Sequence, residues 1–284
     1  MDARAQTPAP LLDVRDLRIS FDTPQGPTEA VRGFNLTMGR ERIAVVGESG
    51  SGKAISLRSL LCLVPVSATV TAERMALEGR DLLSLSPRAL RQLRGGRIGM
   101  VVQDPKQGLD PLMTIGKQLT EMLRVHGKTP SAGARHRVHE LLAEVHIRDP
   151  ERVATLYPHE VSGGMAQRAM LAMMLSAAPE LLIADEATSA LDAVVRRHVL
   201  DLIDEQVRLR GMGLVLISHD LDLVARYADR VLVMYAGRVV EELPASQLNA
   251  AQHPYTRGLL ACRPTLDRPD GNLPVLQREA SWLE

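Results

Sequence analysis

The sequence predicts an α/β fold: a mostly parallel sheet, an antiparallel β region toward the N-terminal end, and an inserted block of helices. Three observations carry this expectation. First, the runs Ile43–Val46, Leu181–Ala184 and Leu214–Ile217 are short and continuously apolar, as suits parallel strands covered on both faces. Second, each run ends in polar chemistry, and in open parallel sheets ligands bind outside the carboxyl ends of the strands. Third, the pattern from Leu112 to about Ser176 turns helical, with Val138, Leu141, Leu142 and Val145 repeating at i, i+3, i+4 and i+7.

The elements follow in order. Leu11–Phe21 reads as a strand, with Leu12, Val14, Leu17 and Ile19 mixed among polar residues. Thr23–Pro27 is a turn, Ala30–Met38 a second strand, and Gly39 leads to the run Ile43–Val46. Thr69–Leu85 is a short β region with a turn at Gly79, and Ser86-Pro87 opens a helix with proline in its first turn. Ile98–Val102 is a strand ending in Gln103-Asp104-Pro105. Tyr157-Pro158-His159 interrupts the helical block. Arg168–Ala178 reads as a buried helix, its Met170, Met173 and Met174 filling core. Val195–Leu209 is a helix with Val195, Val199, Leu202 and Ile203 on one face. Val231–Tyr235 and Arg238–Glu242 flank Ala236-Gly237 as a hairpin. Past Leu243 the chain is rich in proline and polar residues, with a short helix at Tyr255–Ala261.

Composition narrows the class. A chain of 284 residues, 45% hydrophobic and 24% charged, is globular with ample core. Its formal net charge of zero argues against nonspecific nucleic-acid binding. Cys62 and Cys262 lack metal-ligand spacing, so a reduced, cytosolic compartment is expected. No apolar stretch approaches the ~20 residues that span a bilayer, and Met1–Pro10 has no apolar signal-peptide core. Work at a membrane would need a partner as anchor.

The chemistry centres on Gly47-Glu48-Ser49-Gly50-Ser51-Gly52-Lys53-Ala54, a G-x-x-x-x-G-K phosphate-binding pattern between a strand and the helical segment that starts at Ile55. Gly47, Gly50 and Gly52 let the backbone turn tightly, so successive N–H groups converge on one anion. Lys53 can reach β- and γ-phosphates. Ala54 stands where the pattern has Ser or Thr, whose hydroxyl binds Mg²⁺. Asp185 and Glu186 close the second apolar run and His219 follows the third. In phosphoryl transfer, positioning and charge neutralisation do most of the catalysis. Asp185 would hold Mg²⁺, through water. Glu186 would polarise the attacking water as general base. His219 would contact the γ-phosphate and orient that water, and Gln103 would join the metal shell or the water. Phe21 is either an edge-of-core aromatic or a platform for a stacked adenine. Ser162-Gly163-Gly164 is either a plain helix cap or a second anion-binding helix start.

The order of Gly47–Lys53, Gln103, Ser162-Gly163-Gly164-Met165-Ala166-Gln167, Leu181–Glu186, Ser189-Ala190-Leu191-Asp192 and Ser218-His219-Asp220 resembles that of the ATP-binding-cassette (ABC) ATPases over nearly the whole chain. Gln103-Asp104-Pro105, Leu109–Ile115, Met234-Tyr235-Ala236-Gly237 and His253-Pro254-Tyr255-Thr256-Arg257 look like the peptide and nickel importer branch. The resemblance implies a P-loop NTPase core spanning 1–250, with a helical signature subdomain at about 104–178 and a C-terminal extension at 251–284. It implies a head-to-tail pair of cassettes, with ATP held between the phosphate loop of one chain, residues 47–55, and Ser162, Gly163, Gly164 and Gln167 of the other. Phe21 matches the adenine-stacking position. ATP and Mg²⁺ are the implied ligands. The implied partners are a second cassette subunit, two membrane permeases and, indirectly, an extracytoplasmic substrate-binding protein, with no nucleic acid; the pair is either homomeric or mixed, and the altered loop at Ala54 favours a different chain as the second cassette. The implied place is the cytoplasmic face of the cell membrane.

The sequence departs from that family at Ala54, at Ala166 (often basic in this branch), and at Ala187, where proline is usual. The cysteine cluster of some relatives is absent. Ala54 points to a pocket that is slow or mainly binds ATP, while the partner's loop does most of the hydrolysis. Two other readings compete: a soluble cassette protein acting on DNA or ribosomes, and an ATP-sensing subunit without catalysis.

Overall fold

The computed structural model describes residues 9–126, 133–263 and 282. The first elements are β1 (Leu12–Thr23), β2 (Gly26–Met38), β3 (Arg42–Val46), α1 (Lys53–Ser59), β4 (Ala68–Thr71), β5 (Arg74–Leu77) and β6 (Arg80–Asp81). Then come α2 (Pro87–Leu93), β7 (Ile98–Val101), α3 (Pro105–Gly108), α4 (Ile115–Val125), α5 (Ala134–Glu144), α6 (Pro150–Thr155), α7 (Gly163–Leu175), β8 (Leu181–Asp185), α8 (Ala193–Arg210) and β9 (Gly213–Ile217). The chain closes with α9 (Leu221–Tyr227), β10 (Arg230–Tyr235), β11 (Arg238–Pro244) and α10 (Pro254–Ala261). Two compact units result: one from the chain up to Ser86 together with the chain from Asp220, the other Pro87–His219.

In the first unit, β1 pairs antiparallel with β2, β4 and β5, and β5 with β6. Leu12, Val14, Leu17 and Ile19 of β1 are buried against Val31, Phe34, Leu36 and Met38 of β2. The strand reading of 30–38 was too short. Pairing runs down to Thr23 opposite Gly26, where the Thr23 hydroxyl donates to the Gly26 carbonyl at 2.6 Å and closes the turn. Asp13 lies between β2 and β5 with its side chain 5% exposed, contacted by Arg15 at 3.0 Å and Arg74 at 2.7 Å. Burial pushes its carboxyl up, but the two guanidinium groups outweigh that and hold it below the usual carboxylate range.

The same unit contains β3, parallel to β10, which pairs antiparallel with β11 across the expected Ala236-Gly237 turn. Ile43–Val46 are wholly buried. Val224 of α9, Leu248, Tyr255 of α10 and Trp282 pack against Ala44, Val46, Val231 and Val233. The helix expected at 255–261 is thus part of this core.

The second unit holds three parallel neighbours, β7, β8 and β9, with Ile98 opposite Leu181 and Asp185 opposite Ile217. Every residue of the central β8 is buried, which explains its unbroken apolar sequence. Helix α7 starts at Gly163, five residues before the expected Arg168, because Ser162 caps it: its Oγ accepts from the Met165 N–H at 3.3 Å. Asp192 caps α8 in the same way, and Gly211, at φ 59°, ends it. The expected stripe Val138, Leu141, Leu142 and Val145 is buried. Among the described residues no helix is long and apolar enough to cross a membrane.

Candidate functional site

The phosphate-loop residues lie in the first unit, between β3 and α1. Gly47, Gly50 and Gly52 adopt φ of 147°, 82° and 100°, where side-chain-bearing residues are strained. Gly47 has a second constraint: a Cβ there would stand 2.1 Å from the Met234 carbonyl oxygen of β10. The loop is further held by the Gly237 N–H, which donates to the Ser51 carbonyl at 3.0 Å. The Glu48 N–H donates to the Tyr255 hydroxyl at 2.9 Å. Lys53 is 5% exposed. Its ammonium donates to the carbonyls of Gly47 at 2.8 Å and Glu48 at 2.6 Å, and to Ser51 Oγ at 3.3 Å. A lysine so folded back over its own loop is a fixed positive charge beside converging backbone. Ser49 and Gly50 are exposed, and Ala54 and Ile55 are half-buried. Phe21 is half-buried on β1, opposite Thr28 and Ala68.

The second unit gathers the other predicted side chains. Because β7, β8 and β9 are parallel neighbours, their carboxyl ends share one edge. That edge carries Gln103, the Asp185-Glu186 pair and His219. Asp185 is 3% exposed, and Gln103 is exposed. Glu186 adopts φ 46°, a left-handed conformation rare for a residue with a side chain. It is pinned there: its N–H donates to the Ile217 carbonyl at 3.2 Å, and its carbonyl accepts from the Ser189 N–H at 3.0 Å and hydroxyl at 3.1 Å. Glu186 Oε1 lies 3.8 Å from His219 Nδ1. That is beyond hydrogen-bond length, but it places a carboxylate and an imidazole side by side at a strand edge.

The residues Ser162 to Gln167 divide into two groups. Ser162 and Gly163 are exposed at the start of α7. Gly164 meets α8 closely: a Cβ there would stand 2.8 Å from Val195 Cγ1. Gln167, expected to contact nucleotide together with Ser162, is turned inward. It has no accessible surface, and its amide donates to the Val102 carbonyl of the chain leaving β7 at 3.4 Å. An α-helix turns about 100° per residue, so a position five beyond the cap faces away from Ser162, toward β7. Sequence reasoning also missed the Tyr255 hydroxyl. The signal was present as a tyrosine following His253-Pro254, but its partner lies 207 positions away in the chain.

Asp185 and Gln103 supply oxygen donors at one edge, which fits Mg²⁺, an ion usually held by one or two carboxylates with substrate phosphates and water. Among the described residues no cluster of three or more His, Cys, Asp and Glu could hold a metal by itself.

Residues 31–189 match the family model described as ABC transporter. The chain belongs to that family: it is an ABC-type ATPase that binds ATP, with the α/β P-loop fold of such cassettes. It is 44% identical over 260 residues to the oligopeptide transport ATP-binding protein OppD of Bacillus subtilis (strain 168), covering 90% of this chain and 73% of OppD. It is 41% identical over 269 residues to the dipeptide transport ATP-binding protein DppD of Haemophilus influenzae, covering 94% of this chain and 82% of DppD. Among solved structures it is similar to dimeric MJ0796, a bacterial ABC transporter cassette, with a TM-score of 0.72 and 25% identity over 82% of this chain and 98% of that one.

Proposed function

We propose that this chain is the ATP-binding and ATP-hydrolysing subunit that powers an importer of peptides, nickel or a metal chelate. The observation that carries this is the likeness, over about nine-tenths of the chain, to OppD and DppD, whose names specify oligopeptide and dipeptide transport. That likeness favours peptides among the three cargoes. The side chains are suited to the task. Lys53 and the loop from Gly47 to Ile55 would hold the β- and γ-phosphates, and Phe21 would stack on adenine. Asp185 and Gln103 would hold Mg²⁺, whose charge would neutralise phosphate oxygens. Glu186 would polarise the attacking water, with His219 orienting it against the γ-phosphate. Ser162, Gly163 and Gly164 would reach the nucleotide of a second cassette subunit. The dimeric state of MJ0796 supports such a pairing for this chain.

In this reading residues 1–250 form the cassette, about 104–178 its helical subdomain, and 251–284 a C-terminal extension. The partners are a second, different cassette chain, two permeases and, through them, an external binding protein. The chain sits peripherally at the cytoplasmic face of the membrane. Ala54 makes its own loop the slow site, so the partner's loop, facing Ser162–Gly164, does most of the hydrolysis. The test is Ala54→Ser in the assembled transporter. Steady-state ATPase should rise, and an unchanged rate removes the asymmetry. A non-catalytic role is disfavoured by the presence of both Glu186 and His219 at one strand edge, 3.8 Å apart.

A further inference from the structure

The run His253-Pro254-Tyr255 plays no part in the chemistry above, yet its tyrosine reaches the phosphate loop. Tyr255 is wholly buried. A buried phenol needs a hydrogen-bond partner, and its hydroxyl accepts the Glu48 N–H at 2.9 Å. The three residues work as a placing device. His253 caps α10, its Nδ1 accepting the Tyr255 N–H at 3.2 Å, and Pro254 opens the helix with its ring in the first turn. The tyrosine ring then lies 4.5 Å from Tyr235, the last residue of β10, and 5.5 Å from Trp282. Tyr235 follows Met234, whose carbonyl already bounds Gly47. The end of β10 and the start of α10 thus meet at the first two residues of the loop, with Trp282 packed against both tyrosines.

We propose that Tyr255 is a positioning residue for nucleotide binding: its hydroxyl holds Glu48 so that the later loop amides keep the spacing a phosphate needs. The C-terminal segment from His253 thereby sets the affinity of this chain's own ATP site. The proposal rests on the reading of Gly47–Lys53 as the phosphate cradle, and it predicts an effect on binding rather than on bond cleavage.

The test is Tyr255→Phe in the full chain, which removes one oxygen and keeps the ring. ATP and ADP should both bind roughly two- to tenfold more weakly, the loss expected for one hydrogen bond. The melting temperature should hold to within about 2 °C. In the assembled transporter the KM for ATP should rise while kcat is retained, a split that general loosening of the fold does not produce. Failure of the unaltered chain to bind ATP would sink the cradle reading and this proposal with it. Unchanged affinity in the variant would sink the proposal alone. Should Tyr255→Phe not fold, amide exchange in the unaltered chain decides. The Glu48 N–H should exchange more slowly than those of exposed Ser49 and Gly50, and equal rates would overturn the brace.

Discussion

Gly47→Ala is the most demanding single test of the loop geometry. Two penalties coincide at this position. The backbone sits at φ 147°, where a side chain costs ~1–3 kcal/mol. The added Cβ would also stand 2.1 Å from the Met234 carbonyl oxygen and 2.9 Å from Ser51 Oγ, whereas real Cβ contacts stay above 3.0 Å. Serine can rotate away, but the carbonyl cannot: Met234 is wholly buried in β10, whose Val233 is in register with Val46. Making room means shifting packed backbone by about 1 Å, at ~1–3 kcal/mol. The two together come to about 2–6 kcal/mol, or a fall in melting temperature on the order of 10 °C. Gly50→Ala is the internal control. It has φ 82° but nothing within 4 Å of its Cβ, so only the conformational penalty of ~1–3 kcal/mol applies. Differential scanning calorimetry and ATP titration on the two variants measure the difference. If Gly47→Ala melts within about 2 °C of the unaltered chain, or no lower than Gly50→Ala, close contact with Met234 is not what requires glycine there.

Glu186→Gln should bind ATP with near-normal affinity yet release no phosphate, because an amide cannot take a proton from water; normal turnover rejects Glu186 as the base. Asp13 makes a prediction on pH. Its folded pKa is depressed, so its stabilising contribution is complete above its unfolded value of about 3.9 and disappears as pH falls through the folded value. Urea melts of Asp13→Asn should show lower stability at neutral pH and a shallower acid loss; an unchanged acid slope removes Asp13 as a contributor. Asp192→Ala should cost ~1 kcal/mol in the same assay, since Asp192 Oδ1 accepts from the N–H groups of Val194 at 3.1 Å and Val195 at 3.0 Å.

Much of the architecture was legible because it rests on local patterns. The buried strands β3, β8 and β9 announced themselves as unbroken apolar runs, which only a doubly covered strand needs. The Gly237 hairpin and the proline start of α2 were legible from turn and helix-start chemistry. Side-chain direction was harder. Ser162 and Gln167 share one motif, yet helical twist sends them to different faces, and only the position of β7 shows where the second one points. The early start of α7 was obscured by its two glycines, poor helix formers that here lie in the first turn and, at Gly164, admit Val195. Tyr255 was illegible for another reason: a single hydrogen bond across 207 residues leaves no periodic trace.

The phosphate loop is gripped by main-chain atoms of its neighbours. Met234 lends a carbonyl, Gly237 an N–H, and the Ala30 carbonyl lies where a Cβ on Gly52 would come within 2.7 Å. Peptide groups are the same whatever side chain they carry. Substitutions at Ala30 and Met234 can therefore accumulate over generations with the grip unharmed, provided the core accepts their bulk. Adding or deleting one residue between Met234 and Gly237 is a different matter, since it slides every peptide group past the loop. The hairpin should thus be fixed in length and, at Gly237 (φ 86°, where a Cβ would stand 2.8 Å from the Ala30 carbonyl oxygen), fixed in residue, while Met234 is free to vary.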